Sequence, residues 1–200
     1  MVCHQMPALA VISDSHDNLA TTQKALAWLN QQKIGLLIHC GDVCSPAMLK
    51  EISRWFHGQI HLVFGNVDPV KSGAELKKEI TKNRFSGITS DRSHGASGDQ
   101  NLLSNIIFHG EFGELTINDK KIAFCHKPEP AKTAAQTGKY DLVFYGHTHQ
   151  PGEEKIDAGR GVCRLVNPGT LAGIFSKATF AIYDSEINKL ELKLVEKLGP

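Results

Sequence analysis

The sequence predicts an α/β fold in which two mixed β-sheets pack face to face with helices outside. Two patterns in the chain carry that expectation. In the first half, short apolar runs alternate with amphipathic segments, as in β–α–β units. In the second half, apolar runs are joined in pairs by tight polar turns, as in hairpins.

The elements follow in order. Leu9 to Ile12 is a buried strand bounded by polar residues, and Leu19, Ala25, Leu26 and Leu29 recur at helical spacing after Asn18. Leu36 to Ile38 is the second strand. Ser45 as N-cap, with Pro46 at the first helical position, starts a helix whose apolar face is Met48, Leu49, Ile52 and Phe56. Ile60 to Phe64 is the third strand, and Lys71 to Lys82 reads as a solvated helix face. Thr81 to Asn105, rich in Ser, Gly, Asp and Asn, is expected to be a long loop or lid. Phe112 to Ile117 and Lys121 to Cys125 flank Asn118-Asp119-Lys120 as one hairpin; Thr179 to Tyr183 and Lys189 to Val195 form another, with the Leu142 to Tyr145 strand between them. No repeat or linker divides residues 1–200, so one domain is predicted.

Composition narrows the function classes. At 200 residues the chain can bury about 70% of its unfolded surface without disulfides or a structural metal. Lys plus Arg total 22 against 21 Asp plus Glu, a net charge of +1, which argues against stable nucleic-acid binding or adhesion to an anionic membrane. No apolar run approaches a bilayer span, and Met1 to Leu9 lacks the basic and apolar regions of a secretory signal, so a cytoplasmic location is expected. Five cysteines, Cys3, Cys40, Cys44, Cys125 and Cys163, are odd in number and lack C-x-x-C spacing; they read as reduced thiols.

Five polar clusters stand just after predicted strands: Asp14-Ser15-His16, Gly41-Asp42, Gly65-Asn66-Val67-Asp68, Cys125-His126 and Gly146-His147-Thr148-His149. Strand ends in an α/β sheet converge on one edge, so residues distant in sequence can form one constellation there. Carboxylate, imidazole and amide donors suit Mn, Fe, Co, Ni or Zn at a mixed nitrogen and oxygen site. In D-x-H and H-x-H, alternate residues of an extended or turning backbone face the same way.

The ordered set D-x-H, G-D, G-N, a lone His and G-H-x-H resembles the calcineurin-like metallophosphoesterase superfamily, and most of all its small YfcE-type phosphodiesterase branch. The resemblance extends to Val166-Asn167-Pro168-Gly169-Thr170, similar to that branch's N-P-G-S/T segment. It implies an αββα sandwich holding two divalent ions, with manganese first among the candidates. By motif, Asp14, His16 and His149 would hold one ion, Asn66, His126 and His147 the other, and Asp42 would bridge them. Ions roughly 3.5–4 Å apart can share a water and aim the resulting hydroxide in line at phosphorus, with Asp42, Asn66 and His126 as the catalytic set. Two dications against Asp14, Asp42 and one hydroxide leave a formal charge of about +1, which favours an anionic phosphoester and explains a neutral Asn66. Larger relatives carry G-N-H-E, whose His protonates the leaving group. Val67 and Asp68 stand here instead, so leaving groups of low pKa are expected. Where relatives have H-G-H or H-G-x, this chain has His126-Lys127-Pro128; Lys127 adds a phosphate contact or Pro128 redirects the loop.

Blander readings stand beside these. Asp14, His16 and Asp42 could merely cap helices, and His147 and His149 could form a polar turn; the joint pattern outweighs both. His4, His39, His57, His61, His94 and His109 read as terminal, surface or core residues without partners, and Cys40 and Cys44 as small buried side chains. Asp17 and Asn18 read as turn and cap residues, and Thr170 as equally structural or near the site. The expected substrate is a small phosphoester of nucleotide type. Rival readings are a monoester or protein phosphatase, and a non-enzymatic scaffold with the same fold. A homo-oligomer stays open.

Overall fold

Side-chain alternation along the first strand sets the layering. In β1 (Ala8–Ile12), Leu9 and Val11 face one apolar cluster while Ala10 and Ile12 face another, all fully buried. The first cluster lies between two sheets and the second under two helices. The computed structural model describes residues 8–68, 103–159 and 161–199.

The first sheet continues through β2 (Leu36–His39), β3 (Gln59–Leu62) and β4 (Ile106–Phe108), each parallel to its neighbour. Antiparallel β10 (Thr179–Asp184) and β11 (Lys189–Leu194) complete its other side, giving the order β11-β10-β1-β2-β3-β4. The second sheet has the order β5-β6-β7-β9-β8. Its parallel centre is β6 (Lys120–Cys125), β7 (Leu142–Phe144) and β9 (Val162–Asn167), flanked by antiparallel β5 (Phe112–Ile117) and β8 (Gly152–Asp157). Both sheets are therefore mixed, as the sequence predicts.

Helices α1 (Leu19–Gln31) and α2 (Pro46–Trp55) cover the outer face of the first sheet with Ala25, Leu26, Leu29, Met48, Leu49 and Ile52. Their starts match the sequence reading: Asn18 Oδ1 accepts from Thr21 N at 3.2 Å, and Ser45 Oγ accepts from Met48 N at 3.1 Å. A third helix, α3 (Pro128–Gln136), covers the second sheet through Ala131, Ala134 and Ala135. Among the described residues, these three helices stand outside the two sheets, as in an αββα sandwich. No helix among the described residues is long and apolar enough to cross a membrane.

Among the described residues, α3, β8, β9 and β4 escape the sequence reading. The apolar face of α3 is alanine alone, and Pro128 with Pro130 in its first turn reads as a loop, although prolines are tolerated there. Strand β8 is exposed along most of its length and carries no apolar alternation; its partner β9 interrupts its apolar residues with Arg164. β4 is only three residues long. Of the expected 81–105 loop, residues 81–102 lie outside the described residues, as do the Lys71 to Lys82 stretch, Cys3, His4 and His94. Leu103 is buried, and Asn105 Nδ2 lies 3.1–3.2 Å from the carbonyls of Ser53, Phe56 and Gly58, closing the end of α2.

His61 and His109 do have partners. His61 Nε2 donates to Gln59 Oε1 at 3.2 Å, so its Nδ1 accepts from His109 Nε2 at 2.9 Å, and both rings lie against Phe124. Burial, then the neighbouring His109, lowers the pKa of His61 to about 4, and burial also lowers that of His109. The folded pair thus binds protons less well than unfolded histidines near 6.5. Its contribution is whole above about pH 6.5 and is lost as pH falls toward about 4. Denaturant midpoints at pH 7 and pH 5 should show a smaller acid loss for His61→Gln than for the parent; equal losses would refute this role.

Candidate metal centre

All five polar clusters stand at the carboxyl ends of strands, where the two sheets come together. Asp14 and His16 follow β1, Asp42 follows β2, Asn66 follows β3, His126 follows β6, and His147 and His149 follow β7. Of the extended or turning backbone expected for D-x-H and H-x-H, the chain uses the turning one. Asp14, His16, Asp42, His147 and His149 have φ of 53°, 40°, 59°, 68° and 61°, all left-handed. Such strained conformations gather at functional sites because surrounding contacts enforce them. Here Asp14 N donates to Gly41 O at 3.0 Å, His16 N to Asp42 O at 3.2 Å, and Gly146 N to His126 O at 3.0 Å.

Close approach explains the glycines of G-N and G-H. A Cβ on Gly65 would sit 1.9 Å from Asp42 Oδ1, and one on Gly146 would sit 1.9 Å from Ser13 Oγ and 2.7 Å from Asp14 Oδ2. Asp14 then joins the sheets, since its Oδ2 accepts the His147 amide at 3.0 Å. The N-P-G-T segment braces the same junction. Asn167 Nδ2 lies 2.9 Å from both Gly146 O and Thr148 Oγ1, and Thr170 Oγ1 donates to Asp14 O at 3.1 Å.

Donor atoms fall into two groups. In one, Asp14 Oδ1 lies 3.1 Å from His149 Nε2 and 3.7 Å from His16 Nε2, and those two nitrogens are 3.1 Å apart. In the other, Asp42, His126 and His147 cluster around Asn66, whose Oδ1 lies 2.9 Å from His126 Nε2 and 2.8 Å from His147 Nδ1. Asp42 Oδ2 stands between them, 3.2 Å from His126 Nε2 and 4.0 Å from His16 Nε2.

Tautomers tell what these atoms offer. His149 Nδ1 faces Ile174 O at 3.2 Å and His126 Nδ1 faces Cys40 O at 2.8 Å. A carbonyl only accepts, so each Nδ1 carries a proton, and the Nε2 of each ring is the atom turned toward the cluster, a lone pair whenever the ring is neutral. Asp14 Oδ1 is buried and takes no hydrogen bond. Lone pairs thus converge on carboxylate oxygens, an arrangement that attracts cations and fits divalent-metal binding. Protons answer the same field. The Asp14 carboxylate, 3.7 Å from Nε2, leads in raising the pKa of His16, against a cost from burial. Burial opposes charging His126, yet the hydrogen bond and charge of Asp42 raise its pKa overall. Asp42 is penalised by burial too, but His126, the Val67 amide and His16 together lower its pKa.

Three contributors were not legible as such in the sequence. Asp68 accepts three backbone amides, from Asp42 at 3.0 Å, Cys44 at 2.8 Å and Gly65 at 2.7 Å, and so ties the Asp42 turn to the Asn66 turn. His39 is buried between Ser15 Oγ at 3.1 Å and Gly41 N at 3.2 Å, and burial lowers its pKa to about 4. Cys44 Sγ lies 3.1 Å from His16 Nδ1, more than the packing expected of it. Burial, then the Asp17 charge, pushes the Cys44 thiol up to about 12. Pro128 starts α3, and Lys127 is exposed at that helix N-terminus.

Known proteins share this arrangement of elements. Residues 8–188 match the calcineurin-like phosphoesterase superfamily domain. Phosphodiesterase MJ0936 of Methanocaldococcus jannaschii is 29% identical over 182 residues, covering 89% of this chain and 93% of that protein. A solved archaeal phosphodiesterase superposes with a TM-score of 0.72 at 26% identity, over 94% of this chain and 99% of its own. The Escherichia coli phosphoesterase YfcE, at 19% identity and a TM-score of 0.56 over 94% and 99% of the two chains, shares the fold. With its family match running from the first strand nearly to the last, this chain belongs to the calcineurin-like phosphoesterase superfamily.

Proposed function

We propose that this protein is a phosphodiesterase working with two divalent ions, manganese foremost. The carrying observation is the shared carboxylate: Asp42 Oδ2 lies 3.2 Å from a histidine of one donor group and 4.0 Å from one of the other. Asp14, His16 and His149 would hold one ion, Asn66, His126 and His147 the second, with Asp42 between them. When bound, such a pair polarises the phosphoryl group and lowers the pKa of water enough for it to attack phosphorus near neutral pH. The match to MJ0936 across most of both chains supports a diester substrate. The family match over residues 8–188 supports reading the chain as one domain. Free cysteines among the described residues are consistent with a cytoplasmic location.

The chain's own residues prepare the site. Cys40 O fixes the His126 proton on Nδ1, and Ile174 O does the same for His149, so both rings are held in their ligating tautomer. Asp42 Oδ1 accepts the Val67 amide at 3.1 Å, which orients Oδ2 into the cluster. The Val67 side chain cannot donate a proton, so esters with good leaving groups should turn over fastest.

Asp42→Ala should lose diester turnover by about 10²-fold or more while circular dichroism stays native, and the protein should retain less metal. Persistent turnover would sink the proposal. Asn66→Asp adds a negative charge to a site meant for anions. Its kcat/KM for a chromogenic diester should fall about tenfold at full metal occupancy, and an undiminished value would remove the charge argument. Asp68→Asn removes the carboxylate that gathers three amides. Metal titration should show a dissociation constant raised about 10- to 100-fold, whereas parental affinity would mean the turns hold themselves.

A further inference from the structure

The loop joining β9 to β10 is bound tightly to the metal centre and holds one residue away from the protein. Leu171 N donates to Ser13 O at 2.8 Å, Ala172 N to Asp14 O at 3.0 Å, and Asn18 Nδ2 to Ala172 O at 2.9 Å. Further along, His149 Nδ1 donates to Ile174 O at 3.2 Å and Ser176 Oγ to His149 O at 2.7 Å. Between these last two anchors stands Phe175, which is 96% exposed. Its φ is 61°, a left-handed backbone that a bulky residue seldom adopts. Its ring lies 5.8 Å from that of His149, at an interplanar angle of 28°.

Neither folding nor packing accounts for this residue. It buries almost no surface, and its backbone conformation would suit Gly or Asn better. Strain at a fixed, solvent-facing aromatic beside a candidate ligand is the signature of a contact made with something else. Charge recognition is not what the loop offers, because its one cation, Lys177, pairs with Glu196 at 2.5 Å. A ring held on a rigid loop offers a flat face, and planar heterocycles stack on such faces with little regard to their edge pattern.

We propose that Phe175 is a specificity-determining residue that stacks against a planar ester group, so that the preferred substrates are nucleoside or aryl phosphodiesters rather than alkyl ones. This rests on the phosphodiesterase reading, with phosphate beside His149 and the ring one step further out. Selection should be for planarity, tolerant of which base is present.

Adenosine 5′-monophosphate and ribose 5-phosphate carry the same phosphate and sugar, so their affinity ratio isolates the ring. Calorimetric titration of the manganese-loaded protein should favour the nucleotide by about tenfold, within the range of base–aromatic stacking. Phe175→Ala should bring the ratio close to one while leaving ribose 5-phosphate binding intact, and Phe175→Trp should preserve it. An unchanged ratio in Phe175→Ala overturns the proposal, and would mean the ring meets a protein partner or none. Affinity for ribose 5-phosphate falling in step with that for the nucleotide also overturns it, because the role is then structural. Parental turnover of a chromogenic diester is measured in parallel: its absence with the affinity ratio intact removes the phosphodiesterase reading and leaves the stacking role standing.

Discussion

Asp14 ends a strand of the first sheet, and one of its oxygens accepts the amide of His147 at the end of a strand of the second. That bond sets how closely the two strand edges approach. The other oxygen is buried without a hydrogen bond and faces His149 and His16. One carboxylate therefore both joins the halves of the sandwich and begins the donor cluster. Gly146 allows the approach, since any side chain there would strike Ser13 and Asp14.

Around that junction, atoms that attract protons and cations crowd together. Two imidazoles are fixed by backbone carbonyls so that their Nε2 atoms point inward, and the Asn66 oxygen stands 2.9 and 2.8 Å from ring nitrogens of His126 and His147. Such a set is uncomfortable by itself, which is why the turns carrying it need support from outside. Asp68, Asn167 and Thr170 give that support through bonds to backbone groups rather than to the donors. Rigid turns then hold the donors in place before any cation arrives.

The sequence is most legible where chemistry and local structure share residues. Asp14, Asp42, Asn66 and His147 announce themselves because glycines or strand ends adjoin them, and Ser45-Pro46 marks a helix by its own capping bond. Legibility fails where the signal is made by something distant. Helix α3 is recognisable only from the sheet its alanines cover, and β8 only from its pairing with β9. Asp68 reads only as a departure from G-N-H-E, since nothing local reveals that the amides of Asp42, Cys44 and Gly65 converge on it. Likewise His61 and His109 are 48 positions apart and meet only through adjacent strands.

Each donor group draws on both sheets: Asp14 and His16 with His149, and Asp42 with His126 and His147. A cation seated in either group would act as a rivet through the sandwich, since prising the sheets apart would require giving up its ligands. Loading and folding are thereby linked, and a cell poor in divalent metal would hold a looser protein as well as an idle one.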